Sequence, residues 1–130
     1  PMKRPPPHGI LPVLNKIKNA YLLWHNYYAE LPKFHRNSFG YRIDTIFVEI
    51  IEAVAAASFL SPKEKYPYVR IAIKKLDAIK ILLMILWETK SLDDEKYIAL
   101  SLKLDEIGRN LGGWYGQIIK QNSPEKSEEK

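Results

Sequence analysis

Apolar residues recur at alternating steps of three and four along most of the chain, which is the spacing of one face of an α-helix. The pattern predicts four helices, at about residues 12–31, 38–60, 63–90 and 92–122. The clearest stripes are Leu14, Ile17, Tyr21, Trp24, Tyr28 and Leu31 in the first helix, and Tyr97, Leu100, Leu104, Ile107, Leu111, Trp114 and Ile118 in the fourth. Because the connections are short, successive helices should be antiparallel neighbours. The expected fold is therefore all-α, an antiparallel up-down-up-down four-helix bundle.

The two ends of the chain lack this periodicity. Residues 1–11 form a proline-rich leader, which we expect to be flexible and which cannot begin a helix early. Residues 123–130 form a polar, charged tail with the composition of a disordered segment. The bundle is thus expected in residues 12–122.

The expected cellular location follows from what the sequence lacks. No apolar run approaches the roughly 20 residues that cross a bilayer, and the leader has no signal-peptide core. There is no cysteine, which fits a reducing compartment. These features predict a cytoplasmic protein without a membrane partner.

Two helices are more apolar than a monomeric bundle requires. Residues 81–87 (ILLMILW) have no polar face, and residues 53–60 (AVAAASFL) are similar. A helix that is apolar all round is buried all round, and a large exposed apolar patch marks an interface. We therefore expect a homo-oligomer. The alternative is a monomer with an exposed apolar surface that associates non-specifically. The candidate interface residues are Ile81, Met84, Ile85 and Phe59.

Three glycines interrupt the fourth predicted helix in the string DEIGRNLGGW, residues 105–114. The string is not GxGxxG, no strand precedes it, and it lacks the lysine and hydroxyl of a P-loop, so it does not predict a phosphate site. Gly108 and Gly112 are four residues apart and share a face, and small residues at that spacing let two helix backbones approach closely. We expect a helix-packing notch at Gly108 and Gly112, with Trp114 filling the space beside it. Gly113 lies off this face.

No arrangement of residues predicts catalysis. None of the three histidines has a glutamate three residues before it, which excludes the ligand motif of di-iron bundles. Glu49 and Glu52 share a helix face, either as a carboxylate pair or as part of a salt-bridged surface with Arg42 and lysines of the third helix. We expect a protein that is not an enzyme, with no catalytic residue, metal or cofactor.

The net charge of +5 is unevenly distributed, with +3 in residues 1–62, +4 in residues 63–90 and −2 in residues 91–130. A basic balance favours anionic partners, most commonly nucleic acid, and the alternative is a solvated, lysine-rich surface. The candidate nucleic-acid-binding residues are Lys33, Arg36, Arg42, Arg70, Lys74, Lys75 and Lys80. Lys75 and Lys80 also border the apolar stripe, where their stems could cover it. Arg70 and Lys74 could also pair with Asp77.

Three segments resemble the accessory variability determinant (Avd) proteins of diversity-generating retroelements. They are LPKFHRNSFGYRI at 31–43, IAIKKLDAIKILL at 71–83 and LDEIGRNLGGW at 104–114, and the similarity of order and spacing covers roughly residues 19–119. The four-helix proteins encoded by intervening sequences in bacterial ribosomal RNA genes look similar in less detail. They are the main alternative: an oligomeric scaffold without a retroelement role.

The resemblance to Avd proteins implies a homo-pentameric barrel of four-helix bundles with basic surfaces. It implies binding to template-repeat RNA and cDNA, and association with the retroelement reverse transcriptase for mutagenic cDNA synthesis and retrohoming. The accessory protein of such a complex is not the polymerase. The positions that match the family's basic motifs are Lys33, Arg36, Arg42, Lys74, Lys75 and Lys80.

Overall fold

The structure, a computed structural model, describes residues 10–122 and consists of helices without a strand in that range. Its elements are α1 (Ile10–Glu30), α2 (Lys33–His35), a π-helical turn (Arg36–Gly40), α3 (Tyr41–Ala57), α4 (Pro62–Glu88) and α5 (Asp94–Gln121). The prediction of an all-helical protein with four long helices is confirmed. The predicted tail and residues 1–9 of the predicted leader lie outside the described residues, and α1 begins two residues earlier than predicted.

The first helix buries a stripe close to the predicted one. Val13, Ile17, Ala20 and Trp24 are buried on one face of α1, and Leu31 follows its last turn. Three residues of the predicted stripe, Leu14, Tyr21 and Tyr28, are only partly buried because they lie at its border. The helix ends at Glu30, before Leu31 and Pro32, as expected where a proline restricts the residue before it.

The connection between α1 and α3 differs from the prediction. A regular helix was expected from about Ser38, but helical backbone resumes at Lys33 and widens into the π-helical turn before α3. The hydroxyl of Ser38 donates to the carbonyl oxygen of Phe34 within this segment. Gly40 ends the turn against Leu31 and Tyr28, and an added Cβ would lie 2.9 Å from a side-chain carbon of each. A side chain at position 40 would therefore have to displace its neighbours, which favours glycine there.

The boundaries of α4 have clear local causes. Pro62 occupies the first turn, where its missing N–H is not needed, and the Glu64 carboxylate accepts from the Ser61 N–H at 3.4 Å. The helix continues through Pro67 without interruption. At the other end, Lys90 has a φ of 68°. The next N–H, that of Ser91, bonds to the Leu86 carbonyl, which closes the helix in a Schellman motif.

The helix α5 begins at a conventional cap. The Asp93 carboxylate accepts from the Lys96 N–H at 2.9 Å, which satisfies one of the free donors of the first turn. The buried residues of α5 are Leu100, Leu104, Ile107, Leu111 and Ile118, all of them members of the predicted stripe.

The α4 helix is central to the packing, since it contacts both α3 and α5 extensively while α1 packs on α5 and α3. Its buried stripe is Val69, Ala72, Leu76, Ile79, Leu83 and Leu86. Side chains that meet between α4 and α5 include Tyr66 with Tyr115, Lys80 with Asp105 and Trp87 with Tyr97. Between α1 and α5, Lys16 meets Glu106, and Lys96 meets Glu30.

The predicted packing notch on α5 is wrong within the single chain. A Cβ added at Gly108 would make ordinary contacts with Leu76 at 3.4 Å and with Lys80 at 3.5 Å. A Cβ at Gly112 or Gly113 would meet no atom within 4 Å. The spacing correctly places Gly108 towards a neighbouring helix, but no helix approaches Gly112. Trp114 is half-buried against the core instead of filling a notch.

A polar contact inside the bundle joins α1 to α3. The Asp44 carboxylate accepts hydrogen bonds from the Tyr21 hydroxyl at 2.8 Å and from the Trp24 indole N–H at 3.3 Å. The rings of Tyr21 and Trp24 both pack on Phe47. Burial, followed by the hydrogen bond and the charge of Asp44, raises the pKa of Tyr21 from 10.0 to about 12.

The glycine contacts predict opposite effects for two alanine substitutions. Gly112→Ala should raise the free energy of unfolding by about 0.5–1 kcal/mol, because alanine favours the helix and the site has room. Gly40→Ala should lower it, because crowding costs about 1–3 kcal/mol and the His35 carbonyl oxygen would also lie 3.1 Å away. Urea unfolding followed by circular dichroism measures both. Equal effects at the two positions would contradict these contacts.

The raised pKa of Tyr21 predicts a loss of stability at high pH. Above pH 10 the unfolded tyrosine ionises while the folded one stays protonated, so ionisation favours the unfolded chain until the pH passes about 12. The difference in unfolding free energy between the wild type and Tyr21→Phe should be constant below this window. The difference should fall by at most about 3 kcal/mol between pH 10 and pH 12. Urea unfolding at a series of pH values measures this difference, and Tyr41→Phe, at an exposed position, should follow the wild type.

Candidate nucleic-acid interface

The seven predicted nucleic-acid-binding residues fall into two separate groups. Lys33, Arg36 and Arg42 lie on α2, the π-helical turn and the start of α3, whereas the other four lie on α4. The first group follows α1 at the end of the bundle where α4 terminates, since His35 of α2 bonds to Ser91. From Lys74 to the end of α4 at Glu88 is about 21 Å along the helix at 1.5 Å per residue. The structure therefore does not combine the two groups into one surface.

Arg36 has a structural contact that the sequence did not indicate. Its guanidinium donates to the carbonyl oxygen of Leu31 at 3.1 Å, just beyond the last turn of α1. Cations are favourable at the C-terminal end of a helix, where carbonyl groups lack partners. Arg36 thus stabilises the turn after α1, while Lys33 and Arg42 are exposed.

Two of the four α4 residues form ion pairs with the neighbouring helices. The ammonium group of Lys75 lies 2.9 Å from the Glu49 carboxylate on α3, and that of Lys80 lies 3.3 Å from the Asp105 carboxylate on α5. The expectation that Glu49 joins a salt-bridged surface with a lysine of this helix is confirmed. Such half-exposed pairs contribute on the order of 0–1 kcal/mol each, and they neutralise the charge that a phosphate would meet.

Arg70 and Lys74 remain as exposed cations on the outer face of α4. They are four residues apart and so lie on one face, about 6 Å apart along the helix axis. Within residues 10–122 neither forms an ion pair at 4.0 Å or less, including with Asp77. Their charges are therefore accessible to an anion.

The fold separates charge along the length of the bundle. Contacts such as Lys75 with Glu49 and Leu76 with Gly108 mark its middle. On one side lie residues 10–20, 49–75 and 108–122, which we call the basic half. The basic half holds nine Lys and Arg and three Asp and Glu residues, a net charge of +6. The remaining described residues, 21–48 and 76–107, hold seven basic and nine acidic residues, a net charge of −2, and form the acidic half.

Aromatic side chains accompany the cations of the basic half. The rings of Tyr66 and Tyr115 stack with centroids 5.4 Å apart, and the ammonium group of Lys65 lies 5.5 Å from the centre of the Trp114 ring. These rings are half-buried against the small core cluster of Ala57, Val69 and Ile118. Arg70 lies close enough to Tyr115 to counteract the rise in the pKa of its hydroxyl, a rise caused mainly by a hydrogen bond with Tyr66.

The sequence reasoning missed Tyr66 and Tyr115 as candidate binding residues. They are far apart in the chain and meet only because α4 and α5 pack against each other. A usable signal was present in the spacing of Tyr66 and Arg70, four residues apart on a helix and hence on one face.

The predicted interface residues are exposed to different extents. Ile81 and Phe59 are 54% and 65% exposed, as expected for unpartnered apolar side chains. Met84 and Ile85 are half-buried. Positions three and four residues beyond Ile81 lie about 60° and 40° to either side of it, closer to the neighbouring helices.

Other site types find no support in the described residues. A cleft of about 670 Å³ lies at the connection between α4 and α5 and is lined by Trp87, Glu88, Lys90, Leu92, Asp93, Asp94 and Glu95. Among residues 10–122 no group of three or more potential ligand side chains could hold a metal ion. Within the same range no helix has the length and apolar content to span a bilayer.

No model of a known protein family matches the chain, and no curated protein or solved structure matches it.

Proposed function

We propose that this chain is a non-catalytic nucleic-acid-binding protein that contacts RNA or cDNA through its basic half. The observation that carries the proposal is the separation of +6 from −2 along the bundle, with Arg70 and Lys74 exposed and free of ion pairs among the described residues. Phosphate contacts dominate nucleic-acid affinity and need no sequence-specific geometry. A surface of this kind suits binding to the phosphate backbone.

The retroelement role is the more specific part of the proposal. The three motifs that resemble Avd proteins support an accessory protein of a diversity-generating retroelement, which partners the reverse transcriptase in the cytoplasm during mutagenic cDNA synthesis and retrohoming. A reverse transcriptase gene with paired template and variable repeats beside the coding sequence would favour this role. A chain that oligomerises but binds no nucleic acid would instead fit a scaffold of the ribosomal intervening-sequence type.

The proposed assembly is a homo-pentamer of antiparallel up-down-up-down bundles. The facing pairs Tyr66 with Tyr115, Lys80 with Asp105 and Trp87 with Tyr97 support opposite directions for α4 and α5. Ile81 on α4 and Phe59 after α3 are both exposed and support contacts with partner chains, because large apolar side chains left in water favour association.

Charge reversal should locate the binding surface. Arg70→Glu combined with Lys74→Glu should weaken RNA binding and reduce the slope of log affinity against log salt by about 1.5, since each lost phosphate contact removes about 0.7–0.9. Lys33→Glu combined with Arg42→Glu makes the same change in net charge in the acidic half and should have a smaller effect. Gel-shift titrations across a salt series measure both. Equal losses would show that the turn binds as well, and unchanged affinity in the first variant would exclude α4.

The proposed pentamer can be tested by its mass in solution and by a substitution at its expected interface. Light scattering should give about five times the 15.1 kDa chain mass, and Ile81→Glu should reduce it because a carboxylate would be buried without a partner. Leu22→Glu is a matched control on α1, since Leu22 is 52% exposed and Ile81 is 54% exposed. It should leave the mass unchanged. A monomeric wild-type protein would contradict the proposed assembly.

A further inference from the structure

The stacked rings of the basic half are not needed for simple phosphate binding. Tyr66 and Tyr115 lie almost parallel, with an interplanar angle of 19°, and both are half-buried against Ala57, Val69 and Ile118. Because the core cluster restricts both rings, a ligand that stacks on them would not have to order flexible side chains first. Restricting a side chain before binding improves affinity.

The cations are arranged next to these rings rather than apart from them. Arg70 lies close to Tyr115, and Lys74 follows Arg70 by about one turn on the same face of α4. In the same region the ammonium group of Lys65 lies 5.5 Å from the centre of the Trp114 ring. The basic half thus presents positive charge and aromatic surface within one region of α4 and α5.

These two features suit unpaired bases better than a duplex. Proteins that bind single strands combine a positively charged surface along the backbone with aromatic side chains on which successive bases stack. In a duplex the faces of the bases are already stacked on neighbouring base pairs. A duplex could therefore contact this protein surface only through its phosphates and would not stack on the tyrosines. The aromatic contribution is available to a single strand alone.

We propose that the surface formed by Tyr66, Arg70, Lys74, Trp114 and Tyr115 binds single-stranded nucleic acid, with bases stacking on the rings and phosphates contacting Arg70 and Lys74. This proposal rests on the proposed function and makes it more specific, since charge alone does not distinguish a single strand from a duplex. The acidic half contains a comparable stacked pair, Trp87 with Tyr97 at 4.8 Å, but Glu88, Asp93, Asp94 and Glu95 line the cleft at Trp87 and oppose phosphate binding.

The test compares a labelled oligouridylate with its duplex with oligoadenylate, using fluorescence anisotropy at fixed salt. The wild-type protein should bind the single strand at least about fivefold more tightly, which is the lower end of the contribution of one stacked base. Tyr115→Leu should lose about that factor for the single strand and leave duplex affinity unchanged. Tyr115→Phe, which keeps the ring, should retain the preference.

Two further measurements protect the test against a folding defect. Tyr97→Leu removes a ring from the stacked pair of the acidic half and should leave both affinities unchanged, and circular dichroism verifies the helicity of each variant. In addition, oligouridylate should quench tryptophan fluorescence in the wild type and in Trp87→Phe, but much less in Trp114→Phe. Because the quenching measurement leaves Tyr115 in place, a folding defect in the Tyr115 variants cannot affect it.

The possible outcomes separate this proposal from the proposed function. Equal affinity for the single strand and the duplex, unaffected by Tyr115→Leu, would overturn the single-strand proposal while leaving charge-dependent binding intact. Quenching that survives in Trp114→Phe would also overturn it. Failure to bind either probe at low salt would overturn both proposals.

Discussion

The buried stripe of α4 is the constraint on which the rest of the structure depends. Six apolar residues from Val69 to Leu86 face the core, and α3 and α5 pack on either side of them. This register fixes the direction of every other side chain on the helix. Arg70 and Lys74 must point away from the core, whereas Lys75 and Lys80 fall at its borders, where carboxylates of α3 and α5 meet them. Which lysines are available for a ligand is thus decided by packing rather than by composition.

Folding groups the charged residues differently from their order along the sequence. Counted along the sequence, the first two thirds are basic and the last third is slightly acidic. Counted along the bundle, the division falls across every long helix, because each helix contributes one part to the basic half and the other to the acidic half. Arg109 and Lys120 of the acidic last third thereby join Arg70 and Lys74 in the basic half. The field of the folded protein is stronger and more localised than a net charge of +5 suggests.

The helices could be predicted because the burial of one face imposes a period on the apolar residues, and the α5 stripe follows that period closely. The π-helical turn could not, because it is a change in backbone hydrogen bonding that leaves no period in the side chains. The ion pair of Lys75 with Glu49 could be predicted, because the two side chains have opposite charges and lie on helix faces expected to be neighbours. The stack of Tyr66 on Tyr115 was not, since it depends on how α5 aligns with α4. The spacing of Gly108 and Gly112 showed that they share a helix face, but it could not show whether another helix packs against that face.

The glycines of α5 have a consequence for motion. Gly112, Gly113 and Gly116 have no neighbouring atom where a Cβ would be, so each lowers helix stability by about 1 kcal/mol relative to alanine without a packing gain. Beyond Leu111 towards the C-terminal end of α5, only Ile118 is fully buried. Segments with weak intrinsic helicity and few buried contacts open locally at a lower free energy than global unfolding. We therefore expect the amides of the last turns of α5 to exchange at a lower free energy of opening than those in the middle of the bundle.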